Sequence, residues 1–274
     1  MIKLNIKVFI VNRRLVWYNT VRRRNMFNFF VQNSNRVDNF YYIDGDDYNH
    51  VKNVLRMKIG DTLLVSENGK SSLCMIEDFT ETQVVVKILK EDYQDTNLPI
   101  EIYLYQGLPK ADKLELIIQK TVELGVHKII PVEMSRSVVK IEDKKKASKV
   151  ERWQAIAEAA AKQSKCSSIP QIGDVTSFKL AVKQASELDV ILVPYECQDG
   201  MVSTVNALKE IKGGQKVGVF IGPEGGFDDN EIAMLNDFGG KTISLGKRIL
   251  RTETAAIASV TMLMLYAEVN LGDK

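Results

Sequence analysis

The chain has 274 residues, 45% of them hydrophobic and 26% charged, and a formal net charge of +2. That length fits about two domains, and the proportions exclude disordered, collagen-like and disulfide-scaffold classes. The charge is uneven: residues 1–25 hold seven basic side chains (Lys3, Lys7, Arg13, Arg14, Arg22, Arg23, Arg24) and no acid, and removing these leaves 30 basic against 35 acidic residues, a net of −5. The longest apolar run in that segment, residues 8–11, is too short for a signal core, and no small-residue cleavage site follows. Met26 opens MFNFFV, which reads as a fresh strand, so residues 1–25 are expected to be an extension outside the fold. Cys74, Cys166 and Cys197 are widely spaced and odd in number, and His50 and His127 are the only histidines, so neither a disulfide framework nor a metal site is expected. Residues 255–266, the longest nearly apolar stretch, reach only about half of the ~20 residues a membrane span needs. The expectation is a soluble, cytoplasmic protein.

Residues 26–97 read as a small β-rich domain. Runs 27–31 and 40–43 are aromatic and β-branched, and a helix-like stretch follows at 46–56. Strands are predicted at 61–66 and 70–77, joined by Asn68-Gly69, the strongest short hairpin signal, and at 84–89. A polar segment over 91–97 marks the boundary. From residue 98 onward strand and helix alternate: strand 100–106, helix 110–124 closed by Gly125, strand 128–132, and helix 144–164 with Trp153, Ile156 and Ala160 at helical spacing. Strand 190–194, a helix near 202–211 and strand 217–221 follow, then a glycine-rich loop. Asp228 and Glu231 form a capping box, Gly239-Gly240 ends that helix, and strand 241–245 and helix 254–269 close the chain. Such alternation implies a mostly parallel sheet covered by helices.

Ligands in open α/β sheets bind beyond the carboxyl ends of the strands. Three such ends are unusual here: Val193-Pro194-Tyr195-Glu196, then IGPEGGF at 221–227, then LGKRILRTETA at 245–255. Gly222, Gly225 and Gly226 permit close backbone approach, but their spacing is neither a dinucleotide fingerprint nor a P-loop. Thr252 or Thr254 can cap the last helix, and Glu253 in its first turn suits the helix dipole. Lys247, Arg248 and Arg251 do not fit that purpose, because cations at a helix N-terminus are misplaced unless an anion sits there. A nucleic-acid phosphate is the natural candidate.

IGPEGGF followed by LGKRILRTETAA resembles the RsmE family of ribosomal RNA methyltransferases, in the SPOUT superfamily. HVKNVLRMKIGD at 50–61, LPKADKLELIIQKTVELGV at 108–126, SRSVVK at 135–140 and ERWQAIAEAAAKQSKCSSIP at 151–170 are similar to further stretches of that family, collinear over roughly residues 26–270. The resemblance implies an α/β protein: a PUA-like β-barrel RNA-binding domain over 26–97 and a SPOUT methyltransferase domain with a trefoil knot over 98–274. It implies transfer of a methyl group from S-adenosylmethionine to N3 of a uracil in 16S rRNA, within the small ribosomal subunit, by a homodimer. Carried onto this chain, cofactor contacts fall at Pro194, Tyr195 and Glu196, at Gly222, Glu224, Gly225 and Gly226, and at Leu245, Gly246, Ile249 and Leu250.

The chemistry of the residues agrees. Methylating a ring carbon typically calls for a thiolate, and the three loops hold no cysteine. N3 carries an imino proton, so a positioned base or a cation that stabilises the anionic ring suffices. Glu253 is the expected base and Arg251 the stabilising cation, with Lys247 and Arg248 orienting phosphate or base. Arg56, Arg136, Gln163 and Lys165 are further expected RNA contacts. Cys166 departs from the family, which usually carries arginine there; Lys165 can replace the charge but not the bidentate geometry. Two other readings are a non-catalytic RNA-binding protein and an α/β enzyme for a phosphorylated metabolite. The first should have eroded GPEGG or RTETA, which are intact, and the second needs a phosphate loop, which is missing.

Overall fold

The computed structural model describes residues 26–195 and 200–272; the expected extension and Glu196 lie outside the described residues. Two compact units result. One takes in the described residues up to Glu67 together with Ser71–Tyr93, and the other Asn68–Lys70 together with residues from Gln94 onward.

The first unit is built on a six-stranded sheet of β1 (Asn28–Phe30), β2 (Arg36–Val37), β3 (Phe40–Ile43), β4 (Thr62–Glu67), β5 (Lys70–Phe79) and β6 (Val84–Gln94), in the order β1-β4-β5-β6-β3-β2. Along β6, Val84, Val86 and Ile88 are buried at period two, as a strand with one covered face requires. They pack with Phe29, Tyr41, Ile43, Val51, Leu63, Val65 and Ile76. Asn68 and Gly69 take φ of 50° and 79°, the pair of positive values that a two-residue hairpin turn of the primed kind demands. The helix-like stretch splits into α1 (Gly45–Asn49) and a π-helical turn over His50–Val54, in which only Val51 is buried. β6 runs five residues past the expected end at residue 89, because its last residues are mostly exposed and polar and carry no apolar alternation to announce a strand.

The second unit is a seven-stranded sheet of β7 (Glu101–Gly107), β8 (Lys128–Glu133), β9 (Gln171–Ile172), β10 (Thr176–Ser177), β11 (Val190–Pro194), β12 (Lys216–Ile221) and β13 (Gly240–Ile243). The order is β10-β8-β7-β12-β11-β13 with β9 beside β8, and every pairing is parallel. β8, β11 and β12 read as continuous apolar runs because their inner residues are buried throughout. The helices are α2 (Lys113–Glu123), α3 (Asp143–Ser164), α4 (Phe178–Ala185), α5 (Val202–Lys209), α6 (Asp229–Asp237) and α7 (Thr252–Asn270). α4 and the two-residue strands carry too short a pattern to read from sequence. α2 starts three residues later than expected, after a turn in which Ala111 takes φ +52°. The Asp228–Glu231 capping box on α6 forms as read.

α7 corrects one expectation. Its N-cap position is held by Arg251, with no side-chain cap, and neither Thr252 nor Thr254 fills that role. Its buried face is Thr252, Ala256, Ser259, Val260, Leu263 and Ala267, while Leu265 and Val269 are exposed. Among the described residues, no helix is long and apolar enough to cross a membrane.

Candidate active site

β12, β11 and β13 are parallel neighbours, so their carboxyl ends open on the same side of the sheet. Around those ends lies a cavity of about 430 Å³, walled by Pro194 and Tyr195, by residues 221–227, and by Ser244–Gly246 with Arg248–Thr252, together with Lys113, Arg136 and Ala255. The three chain segments are tied to one another. Tyr195 N–H donates to Ile243 O at 3.0 Å. Thr204 Oγ1 donates to Ser244 O at 2.7 Å and accepts from Ser244 N–H at 3.0 Å. Thr252 Oγ1 donates to Gly222 O at 2.7 Å, and fully buried Gln106 donates from Nε2 to Thr252 Oγ1 at 2.9 Å.

Two glycines explain why the loops need that residue type. Gly226 and Gly246 have φ of +69° and +108°, and a Cβ on either would meet nothing within 4 Å. Conformation, not crowding, selects glycine there, and the backbone is left bare toward open space. Gly225 is different: a Cβ on it would stand 2.9 Å from Arg136 Cβ, and Arg136 Nη1 donates to Gly225 O at 3.2 Å.

Charge in the wall is ordered. Arg136, Arg248 and Arg251 all line the cavity. Lys113 Nζ lies 2.9 Å from Glu224 Oε1 and 3.5 Å from Glu253 Oε2. Glu224 Oε1 also accepts from Lys110 N–H at 3.0 Å. Burial works to raise the Glu224 carboxyl, but the hydrogen bonds from Lys113 and Lys110 outweigh it and hold the group below the ordinary carboxylate range. The Glu224 hydrogen bond correspondingly raises Lys113, against a smaller opposing effect of burial. Glu253 Oε2 is buried and has no hydrogen-bond partner.

Of the residues singled out from sequence, Pro194, Tyr195, Gly222, Glu224, Gly225, Gly226, Leu245, Gly246, Ile249, Leu250, Arg248, Arg251 and Arg136 meet around this one cavity. Glu253 sits beside it, turned to Lys113, and Lys247 is exposed in the same segment without lining the wall. Gln163 and Lys165 stand at the carboxyl end of α3, away from the wall: Gln163 is exposed, and Lys165 caps the helix at φ +61° while its carbonyl accepts from Gln94 Nε2. Cys166 Sγ contacts Ser164 Oγ at 3.1 Å, and burial raises its thiol. Arg56 is exposed in the first unit. The sequence reading missed Lys113, Thr252 as a wall residue, and Gln106 behind it. Lys113 lies inside the quoted stretch LPKADKLE, but nothing there points to carboxylates more than a hundred residues away.

The chain matches the RNA methyltransferase domain family over residues 96–264 and the RNA methyltransferase PUA domain family over residues 43–89. It is 37% identical to the ribosomal RNA small subunit methyltransferase E of Bacillus subtilis (strain 168) over 238 residues, covering 85% of this chain and 93% of that protein. Identity to the protein of the same name from Mesomycoplasma hyopneumoniae (strain 232) is 32%, covering 86% and 98%. The crystal structure of a ribosomal RNA small subunit methyltransferase E from Neisseria gonorrhoeae, bound to S-adenosyl methionine, superposes with a TM-score of 0.74 at 26% identity, covering 88% of this chain and 98% of that one. With both domain matches and this similarity along most of its length, the chain belongs to the ribosomal RNA small subunit methyltransferase E family.

Proposed function

We propose that this protein is a cytoplasmic methyltransferase that uses S-adenosylmethionine to methylate N3 of a specific uridine in 16S rRNA of the small ribosomal subunit. The observation that carries the reading is the single cavity at the strand ends, bare backbone on one part of its wall and arginine on another. Its volume of about 430 Å³ lies within the range of roughly 300–1,000 Å³ usual for cofactor pockets. Open space at the Cβ positions of Gly226 and Gly246 fits a ligand that lies directly on main chain. Pro194, Tyr195, Glu196 and the 222–226 and 245–250 loops would hold the cofactor, which supplies an electrophilic methyl group on a sulfonium centre.

The protein's own part is to bind, orient and discharge the uracil. Arg251 stabilises negative charge on the ring as N3 gives up its proton, where a fixed cation in a shielded cavity is most effective. Glu253 takes that proton; its buried Oε2 lies 3.5 Å from Lys113 Nζ beside the cavity, and the carboxylate turns from Lys113 toward the wall to act. Lys247, Arg248 and Arg136 engage phosphate, aided by an α7 N-terminus that no side chain caps. Arg56, Gln163 and Lys165 supply further RNA contacts. Residues 244–252 leave β13 at the sheet edge and lead into α7, which packs against β7 and β12, a course that suits the threaded knot. Exposed Leu265 and Val269 on α7 suit a homodimer contact, which sedimentation would read directly.

The test is methyl transfer from labelled S-adenosylmethionine to small subunits that lack the modification, with the product nucleotide mapped. N3-methyluridine at one position is the expected product. A modified base of another kind, or no transfer, would remove the reading. Glu253→Gln and Arg251→Ala should each lower kcat while S-adenosylhomocysteine still binds; unchanged rates would take both residues out of the chemistry.

A further inference from the structure

Lys113 is a poor residue for its place in the helix. It is the first residue of α2, where the partial positive charge of the helix N-terminus disfavours a cation. What compensates it is a pair of carboxylates from two distant segments: Glu224 in the glycine loop at 2.9 Å and Glu253 in the first turn of α7 at 3.5 Å. Both lie largely shielded, with side chains 25% and 16% exposed against 30% for Lys113 itself. Three arginines, Arg136, Arg248 and Arg251, wait in the adjoining wall. A carboxylate released near them would find a guanidinium partner, and the bidentate geometry of such pairs makes them strong competitors.

We propose that Lys113 is a positioning residue of the methyl-transfer site, one ammonium that holds Glu224 and Glu253 in place and keeps their charge from capturing the arginines that receive RNA. The proposal rests on reading the cavity as the methyl-transfer site. Without Lys113, two carboxylates face each other with no shared cation, and their repulsion drives at least one toward Arg248 or Arg251. The wall then carries one positive charge fewer and has a guanidinium engaged by a carboxylate, so it attracts an anionic substrate less. S-adenosylhomocysteine, a zwitterion with no net charge, should feel this far less than RNA does.

The experiment compares the full chain with its Lys113→Met, Lys113→Gln and Lys113→Arg variants in steady-state methyl transfer to unmodified small subunits, alongside calorimetric titration with S-adenosylhomocysteine. Loss of the ammonium should raise KM for the RNA substrate about tenfold or more in both neutral variants, and by clearly more than it raises the S-adenosylhomocysteine Kd. Lys113→Arg, which keeps the cation, should restore KM to within about threefold. Parent-like KM in either neutral variant would overturn the proposal. So would a Lys113→Arg variant as impaired as the neutral ones, or a loss of activity with KM unchanged and only the melting temperature lowered. Should the parent protein itself fail to bind S-adenosylhomocysteine, the functional reading falls; an active parent with indifferent Lys113 variants sinks only the present proposal.

Discussion

Thr252→Val removes one hydroxyl and keeps the shape of the side chain. The residue is 5% exposed, and its hydroxyl donates to Gly222 O at 2.7 Å and accepts from Gln106 Nε2 at 2.9 Å. Valine leaves both partners short of a contact inside the protein. A buried polar group that loses its partner costs about 1–3 kcal/mol, so the two together set a range of roughly 2–6 kcal/mol. The lower half is expected, because Gln106 Nε2 keeps its second bond, to Gly107 O at 2.9 Å, and valine adds a buried methyl group. At roughly 2–4 °C per kcal/mol for a unit of this size, the melting temperature should fall by about 4–16 °C. Thr252→Ser keeps the hydroxyl and loses only a methyl group, which should cost about 1 kcal/mol. Urea unfolding followed by circular dichroism checks both, with the midpoint lowered at unchanged slope. A valine variant within 1 kcal/mol of the parent, or a serine variant as damaged as valine, would refute the reasoning.

Glu224 and Ala111 give further predictions near the same wall, and the basic segment a third. Because its folded-state value is depressed, the Glu224 carboxylate contributes stability that is present above its usual value of about 4.3 and lost as pH falls through the lower folded value. Glu224→Gln should therefore be less stable than the parent at pH 7, with the gap between their melting curves narrowing below about pH 4; a constant gap would contradict the pairing with Lys113. Ala111 sits at φ +52°, a left-handed conformation that costs a residue with a Cβ about 1–2 kcal/mol. Ala111→Gly should stabilise by up to about 1 kcal/mol once the larger entropy of the unfolded glycine chain is deducted, read as a raised urea midpoint. Removing residues 1–25 takes away seven basic side chains, so non-specific RNA binding should weaken and lose salt dependence while site-specific methylation persists. A filter-binding salt series beside the methylation assay would show it.

Sequence made the strand ends legible and left their wiring hidden. IGPEGGF and LGKRILRTETA were visible because glycine and clustered charge after an apolar strand are local signals, and both segments do border the cavity. The parallel sheet was legible for the same reason: the inner residues of β8, β11 and β12 are continuously apolar. Thr252 reads as a helix cap because capping is the commonest use of a threonine at a helix start, and only the fold reveals that Arg251 holds the cap position and that Gln106 Nε2 donates to the Thr252 hydroxyl oxygen. Lys113 and Gln106 were invisible because their partners stand more than a hundred residues away in the chain, at Glu224, Glu253 and Thr252. Such pairings depend on which strands lie side by side, and no local pattern encodes that.

The distribution of charge then takes on a different meaning from its sum. The excess of basic residues over acidic ones lies in residues 1–25, and the remainder of the chain is net acidic. To bind RNA, a chain that is net acidic from residue 26 onward must concentrate its cations there, and it must also keep its own carboxylates from occupying them. The wall of this cavity meets both requirements at once. Arg136, Arg248 and Arg251 line the cavity, while the Glu224 and Glu253 carboxylates are drawn to a single lysine on another helix. Adding positive charge elsewhere on the surface would strengthen non-specific attachment to RNA without aiding the site. Releasing Glu224 and Glu253 by a single substitution at Lys113 would weaken the local field. Specific binding here is governed by where the acids are held, more than by how many bases the chain contains.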